Sequence, residues 1–102
     1  LDDAGFILAL IDRLTASGAA DPARVYLAGV AGGGTMAFRL ACEQPQRFAG
    51  VAVVGALMWD FQRAQCAEPP AAPVNLLLLH GTADTAYPPN GRIANGSAVS
   101  AA

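Results

Sequence analysis

Apolar positions along the chain follow first a helical and then a strand-like rhythm, and the switches between them predict the elements. Phe6, Ile7, Leu10, Ile11 and Leu14 recur at helical spacing, so the opening segment reads as a helix with one apolar face. Asp2 and Asp3 suit its positive N-terminal end, and Gly18 is a natural stop. Asp21-Pro22 then makes a tight turn, because the proline ring fixes its own φ and restricts the residue before it. Residues Arg24 to Ala28 read as a short buried strand. The glycine-crowded run Gly29-Val30-Ala31-Gly32-Gly33-Gly34 follows, and Thr35 to Glu43 reads as a second helix with Met36, Ala37 and Leu40 on one side and Pro45 as its end. Val51 to Val54, nearly all β-branched, is a second strand. Residues 56–73 are irregular, with a break at Pro69-Pro70, and Val74 to Leu79 is a third strand closed by His80-Gly81. From Tyr87 the chain is rich in Pro, Asn, Gly, Ser and Ala without periodicity, which predicts a loop or disordered tail over 91–102.

The order helix, strand, helix, strand, loop, strand predicts an α/β fold with a parallel sheet and right-handed crossovers. Three parallel strands leave two open edges, and parallel sheets are normally covered on both faces. Residues 1–90 therefore read as the central part of a larger domain, with further strands expected before Leu1 and after residue 102. There is no internal repeat.

Composition narrows the function classes. The chain is 54% hydrophobic and only 14% charged, with a net charge of −2 and no basic run. Nucleic-acid binding needs a positive footprint, so that class is excluded. The longest apolar run, Ala49 to Trp59, is too short for the roughly 20 residues of a membrane span. Cys42 and Cys66 lack metal-ligand spacing, so no metal is expected; they are either two buried thiols or one disulfide, and composition does not choose.

The strand–turn–helix junction carries the first candidate chemistry. A strand entering a glycine-crowded turn and then a helix is the context of the nucleophile elbow, G-x-S-x-G. Gly29 and Gly33 match its glycines, where a sharp turn leaves no room for side chains, and Ala31 stands in the middle. Gly32 would offer its backbone N–H to an oxyanion at the helix N-terminus. Two other readings compete. One is a glycine-rich turn that only lets helix and strand pack closely. The other is a nucleotide-binding βα unit, since Gly32-Gly33-Gly34-Thr35-Met36-Ala37 fits G-x-G-x-x-A; its acidic partner at the end of the next strand is missing at Val54-Gly55-Ala56.

The second place is His80-Gly81-Thr82-Ala83-Asp84, directly after the third strand. A carboxylate at the C-terminal end of a parallel strand lies at the edge where such sheets place their sites, and it can orient a catalytic histidine. Asp84 as a simple turn-former is the competing reading. Asp21 precedes a strand and so belongs to the opposite edge, and Asp60 lies in the irregular stretch. His80, the sole histidine, is either a base or, more in keeping with its place at a strand end, a residue that holds the loop through a backbone hydrogen bond.

The residues Asp21-Pro22-Ala23-Arg24-Val25-Tyr26-Leu27-Ala28-Gly29, the turn after them, Met36 to Cys42, Arg47-Phe48-Ala49 and His80 to Asp84 together resemble the polyhydroxybutyrate depolymerase and feruloyl esterase-like branch of the α/β-hydrolases. The opening helix from Asp2 to Ile7 fits too, so the resemblance covers roughly residues 1–90. It implies a partial α/β-hydrolase fold and a cofactor-free Ser-His-Asp ester hydrolase acting on a small-molecule or polymeric ester. Asp84 matches the triad acid, Gly32 the oxyanion residue, and Ala31 the nucleophile position, where the hydroxyl is lacking. The family's triad histidine lies downstream and its second oxyanion donor upstream, and this chain offers neither. The resemblance also implies a Cys42–Cys66 disulfide and a parent that is extracellular or periplasmic. The reading is a hydrolase fragment that is inactive as it stands; the alternative is a binding or structural relative that kept the fold and lost the serine.

Overall fold

The structure, a computed structural model, describes residues 2–66, 73–94 and 97–100. Three parallel strands form the main sheet: β1 (Tyr26–Val30), β2 (Gly50–Val54) and β4 (Leu76–Leu79), in the order β1-β2-β4. Tyr26 pairs with Gly50 and Val30 with Val54, while Val51 pairs with Leu76 and Val54 with Leu79. All three strands therefore end at one edge. Helices α1 (Asp3–Ala16), α2 (Gly32–Glu43) and α3 (Asp60–Gln65) accompany the sheet. This is the partial α/β arrangement that the order of elements predicts.

The elements begin and end for local reasons. Asp2 caps α1 by accepting a hydrogen bond from the Gly5 N–H at 2.9 Å. Gly18 stops it at φ +80°, where glycine carries no Cβ penalty. Arg24, expected in the first strand, belongs instead to a short 3₁₀ turn over Pro22–Arg24 capped by Asp21. The strand consequently starts two residues later and runs right up to the glycine-rich turn.

The core lies between the sheet and α2. Phe38 and Leu40 of α2, Val51 and Val53 of β2, Phe48, Ala56 and Ala4 form one buried cluster. Ile7, Leu8 and Ile11 pack against it, which puts α1 on the same side of the sheet as α2. The single apolar face expected for α1 is here divided. Phe6, Leu10 and Leu14 are 69%, 46% and 42% exposed, because a stripe at i, i+4 and i+8 is turned away from the one through Ala4, Ile7 and Ile11.

The irregular stretch contains a two-residue strand, β3 (Met58–Trp59), and α3. The tail also differs from expectation: β5 (Arg92–Ala94) and β6 (Ser97–Ser100) pair antiparallel, and β3 pairs with β6, giving a second small sheet ordered β3-β6-β5. Hairpin pairing is a backbone matter and does not need apolar alternation. The sequence signal for it was Asn95-Gly96, a dipeptide favoured in two-residue hairpin turns. Residues 95–96 and the Pro69-Pro70 break lie outside the described residues.

A disulfide joins Cys42, near the end of α2, to Cys66, just after α3, with Cα atoms 5.4 Å apart. It fastens the stretch that follows β2 onto the helix that follows β1. Mass spectrometry of an unreduced digest is expected to recover the linked Cys42–Cys66 peptides from protein made under oxidising conditions, and Cys42→Ser is expected to lower stability by about 3 kcal/mol, the chain-entropy estimate for a loop of this size. Two alkylatable thiols under those conditions would contradict the pairing.

Among the described residues nothing covers the other face of the sheet. Tyr26 and Val30 of β1 and Leu77 and Leu79 of β4 are exposed there, flanking the smaller Ala52 of β2. An open groove of about 540 Å³ runs along it past Tyr26, Ala28, Gly50, Ala52, Asn75 and Leu77. A parallel sheet uncovered on one face is an association surface. The isolated chain is expected to elute above its monomer mass in size-exclusion chromatography with light scattering, and Tyr26→Lys with Leu77→Lys is expected to shift it toward monomer. A sharp monomer peak with cooperative unfolding of the unmodified chain would contradict this.

Candidate active site

The turn between β1 and α2 is built by steric exclusion. A Cβ on Gly29 would run into the Gly33 carbonyl group and lie 2.7 Å from the Gly34 nitrogen, so only glycine allows the helix to start this close to the strand. Gly34 is equally confined, since its Cβ would meet the Ala56 Cβ at 2.6 Å and the Val53 Cγ1 at 3.0 Å. Gly33 is different from the expectation: the space where its Cβ would lie is open. The crowded pair is Gly29 and Gly34, because Gly34, one position further round the helix, is the residue that faces the sheet.

Between them Ala31 adopts φ +53°, ψ −118°, and it is the sole non-glycine residue with positive φ among the described residues. For a residue with a Cβ this region is strained by on the order of 1–3 kcal/mol and persists only when its surroundings fix it. They do so here. The Ala31 N–H donates to the Val54 carbonyl at 3.0 Å, extending the β1–β2 ladder, and the Ala31 carbonyl accepts from the Thr35 N–H at 3.1 Å, opening α2. Ala31 is exposed, and as N-cap it gives the helix no side-chain cap. The first N–H groups of α2, that of Gly32 included, lack intrahelical carbonyl partners at this end and carry the positive end of the helix dipole. The turn thus sets residue 31 at the exposed sheet edge in front of the first N–H groups of α2, and the side chain it carries there is a methyl group.

Asp84 lies at the same edge of the sheet. Its Oδ1 accepts hydrogen bonds from the Ala86 N–H at 3.0 Å and the Tyr87 N–H at 2.8 Å. The Asp84 N–H in turn donates to the Gly81 carbonyl at 3.2 Å. One carboxyl oxygen is thus held by the backbone, while Oδ2 lies 3.6 Å from His80 Nε2. That oxygen lies 3.9 Å from where a Cβ of Gly55 would be. Gly55 has φ +61° and donates its N–H to the Leu79 carbonyl at 2.9 Å. Ala31 and Asp84 therefore flank the end of β2, one bonded to Val54 and the other over Gly55. Two interstrand spacings separate β1 from β4, roughly 10 Å, a gap in which an imidazole ring can bridge an acid and a nucleophile.

Asp21 and Asp60 stand apart from this arrangement. Asp21 accepts from the Ala23 N–H at 2.9 Å, before β1 and at the opposite edge. Asp60 is exposed and begins α3, past the end of β2. His80 is nearly buried and its Nε2 bonds the Tyr87 carbonyl, as a loop-holding residue would. Among the described residues no group of three or more His, Cys, Asp or Glu side chains gathers as metal ligands, and no helix is long and apolar enough to cross a membrane.

Sequence reasoning overlooked two residues that shape the site. Gly55 was one; its signal was a glycine directly after a β-branched strand. The other is Gln62, which is buried. Its Nε2 donates to the Thr35 carbonyl and its Oε1 accepts from the Trp59 N–H, both at 3.0 Å. It pins the segment after β2 to the first turn of α2, beside the elbow. A polar residue between Phe61 and Arg63 gives no such sign in the sequence.

Among curated proteins, the chain is 39% identical over 94 residues to one named "Putative esterase NocK" from Nocardia uniformis subsp. tsuyamanensis, an alignment that takes in 87% of this chain. The chain spans about a quarter (25%) of the length of that protein. No family model matches the chain, and no solved structure matches it.

The two kinds of glycine at the turn give opposite expectations. Gly29→Ala should lower the free energy of unfolding by about 3 kcal/mol, the size of a severe overpacking defect. Gly33→Ala should leave it unchanged or raise it by up to about 1 kcal/mol through helix propensity. Chemical denaturation of both variants measures the difference, and equal losses would contradict the geometry.

Proposed function

We propose that this chain is the elbow and acid-loop portion of a carboxylic-ester hydrolase of the polyhydroxybutyrate depolymerase and feruloyl esterase-like branch, inactive as it stands. The observation that carries the reading is the positive-φ backbone of Ala31 at the mouth of α2. A nucleophile must be raised above the sheet edge in this way, and the close start of α2 on β1 raises residue 31 so. The likeness to a protein named as an esterase supports the same chemistry.

The geometry supports the following roles. In an active parent, a serine hydroxyl at position 31 attacks the ester carbonyl and a histidine takes its proton. The Gly32 N–H then holds the developing oxyanion. Asp84, with Oδ1 fixed by two N–H groups, presents Oδ2 to the ring N–H of that histidine. The alanine methyl at 31 has neither a lone pair nor a proton to lose, and His80, the sole histidine, faces the Tyr87 carbonyl through Nε2 and buries Nδ1, so neither ring nitrogen is offered to residue 31. The substrate of the parent is a small-molecule or polymeric ester. The Cys42–Cys66 bridge supports an extracellular or periplasmic parent, since disulfides persist in oxidising compartments. A second reading rests on the methyl group itself: an elbow kept intact around Ala31 is also what a non-catalytic binding relative would retain.

The chain is expected to hydrolyse nitrophenyl esters no faster than background, and Ala31→Ser alone is not expected to restore full activity, because a serine without its base is a weak nucleophile. In a full-length hydrolase domain with serine at 31, Asp84→Asn is expected to lower turnover by on the order of 10⁴-fold and Asp60→Asn to change it little. Turnover by the unmodified chain that disappears on Asp84→Ala would overturn the proposal. Loss of activity on Asp60→Asn with Asp84→Asn near normal would overturn the acid assignment.

A further inference from the structure

His80 is a buried polar side chain that the hydrolytic reading leaves without a chemical role. Its side chain is 9% exposed, its Nε2 contacts the Tyr87 carbonyl, and the same nitrogen lies 3.6 Å from Asp84 Oδ2. Its Nδ1 is buried with no hydrogen-bond partner. A carbonyl can only accept, so Nε2 must carry the proton, and in the neutral ring Nδ1 is then bare. The nitrogen that keeps its lone pair, Nδ1, is the buried one, so this ring presents no base to the exposed elbow.

The partners of this ring are those of the acid. Asp84 Oδ1 takes the N–H of Tyr87 at 2.8 Å, and His80 takes the carbonyl of the same residue. Two side chains four positions apart thus hold both backbone polar groups of Tyr87 and close the loop that follows β4. Because His80 gives its proton to Tyr87, it faces Asp84 Oδ2 without consuming it. A lysine or arginine there would pair with that oxygen directly. We infer that His80 is a positioning residue for Asp84: the neutral Nε2–H tautomer closes the 80–87 loop on Tyr87 and keeps Asp84 Oδ2 free for a partner outside the loop. This rests on the reading of Asp84 as the acid of an ester-hydrolase site.

Because the sequence contains one histidine, labelling the chain with ¹³C,¹⁵N-histidine gives a single spin system. NMR of the unmodified chain, in solution or in the solid state, is expected to show the Nε2–H tautomer; the Nδ1–H tautomer would overturn the inference even if every variant failed to fold. Hydrogen exchange of the 80–91 segment supplies the second readout. His80→Ala is expected to speed exchange at the Tyr87 amide by roughly five- to tenfold, the worth of one hydrogen bond. His80→Gln, whose amide can still donate to the Tyr87 carbonyl, should restore protection. Equal protection in the unmodified chain and His80→Ala would overturn it. Neither measurement reads activity, so the inference can fail while Asp84 remains the acid, and Asp84→Asn can fail to affect turnover while His80 still closes the loop.

Discussion

The sharp turn at the edge of the sheet depends on how closely α2 begins against β1. The Gly29 α-carbon faces the Gly33 carbonyl group with no space for a side chain between them. That approach forces the chain to reverse within one residue, and the residue that absorbs the reversal is Ala31, at φ +53°. The strain is held at both ends by hydrogen bonds, one into the sheet through Val54 and one into the helix through Thr35. Shape and electrostatics follow together, because the same turn lifts residue 31 to the edge and directs the free N–H groups of the helix toward it.

The Asp84 side of this edge is built differently. Asp84 owes its position to hydrogen bonds within a short loop, while the elbow is fixed by packing against the core. Buried Phe38 and Leu40 hold α2 in place, and Gln62 and the Cys42–Cys66 bridge fasten the neighbouring segment to it. The carboxyl group depends instead on the Ala86 and Tyr87 N–H groups and on the open space over Gly55. A substitution in the core should therefore disturb residue 31 before it disturbs Asp84.

Much of this was legible in the sequence, and the parts that were not have physical reasons. The three parallel strands were readable because Val51–Val54 and Leu76–Leu79 are short runs of apolar residues bounded by turn signals. The sharp turn at 31 was readable from the glycines, but which of them is sterically required was not. Gly33 fits the pattern and Gly34 fills the crowded place, a distinction that depends on the rotation of α2 over Val53 and Ala56. Likewise the burial of Ile7 and Ile11 with exposure of Phe6 and Leu10 depends on what α1 packs against. The β5–β6 pairing escaped notice because antiparallel pairing is made by the backbone. The Cys42–Cys66 pairing could be put forward only by family resemblance, since spacing alone leaves two cysteines free or joined.

The central claim is that residue 31 stands exposed on a nucleophile elbow at the N-terminus of α2, although it is an alanine. The most direct measurement replaces it by a thiol and follows alkylation against pH in Ala31→Cys, with Ser17→Cys, exposed at the other kind of helix end, as reference. A thiol at a helix N-terminus is stabilised as the thiolate and should titrate below the usual value of about 8.5, so it should react faster than the reference at neutral pH. An alkylation midpoint in Ala31→Cys at or above that of Ser17→Cys would contradict the account.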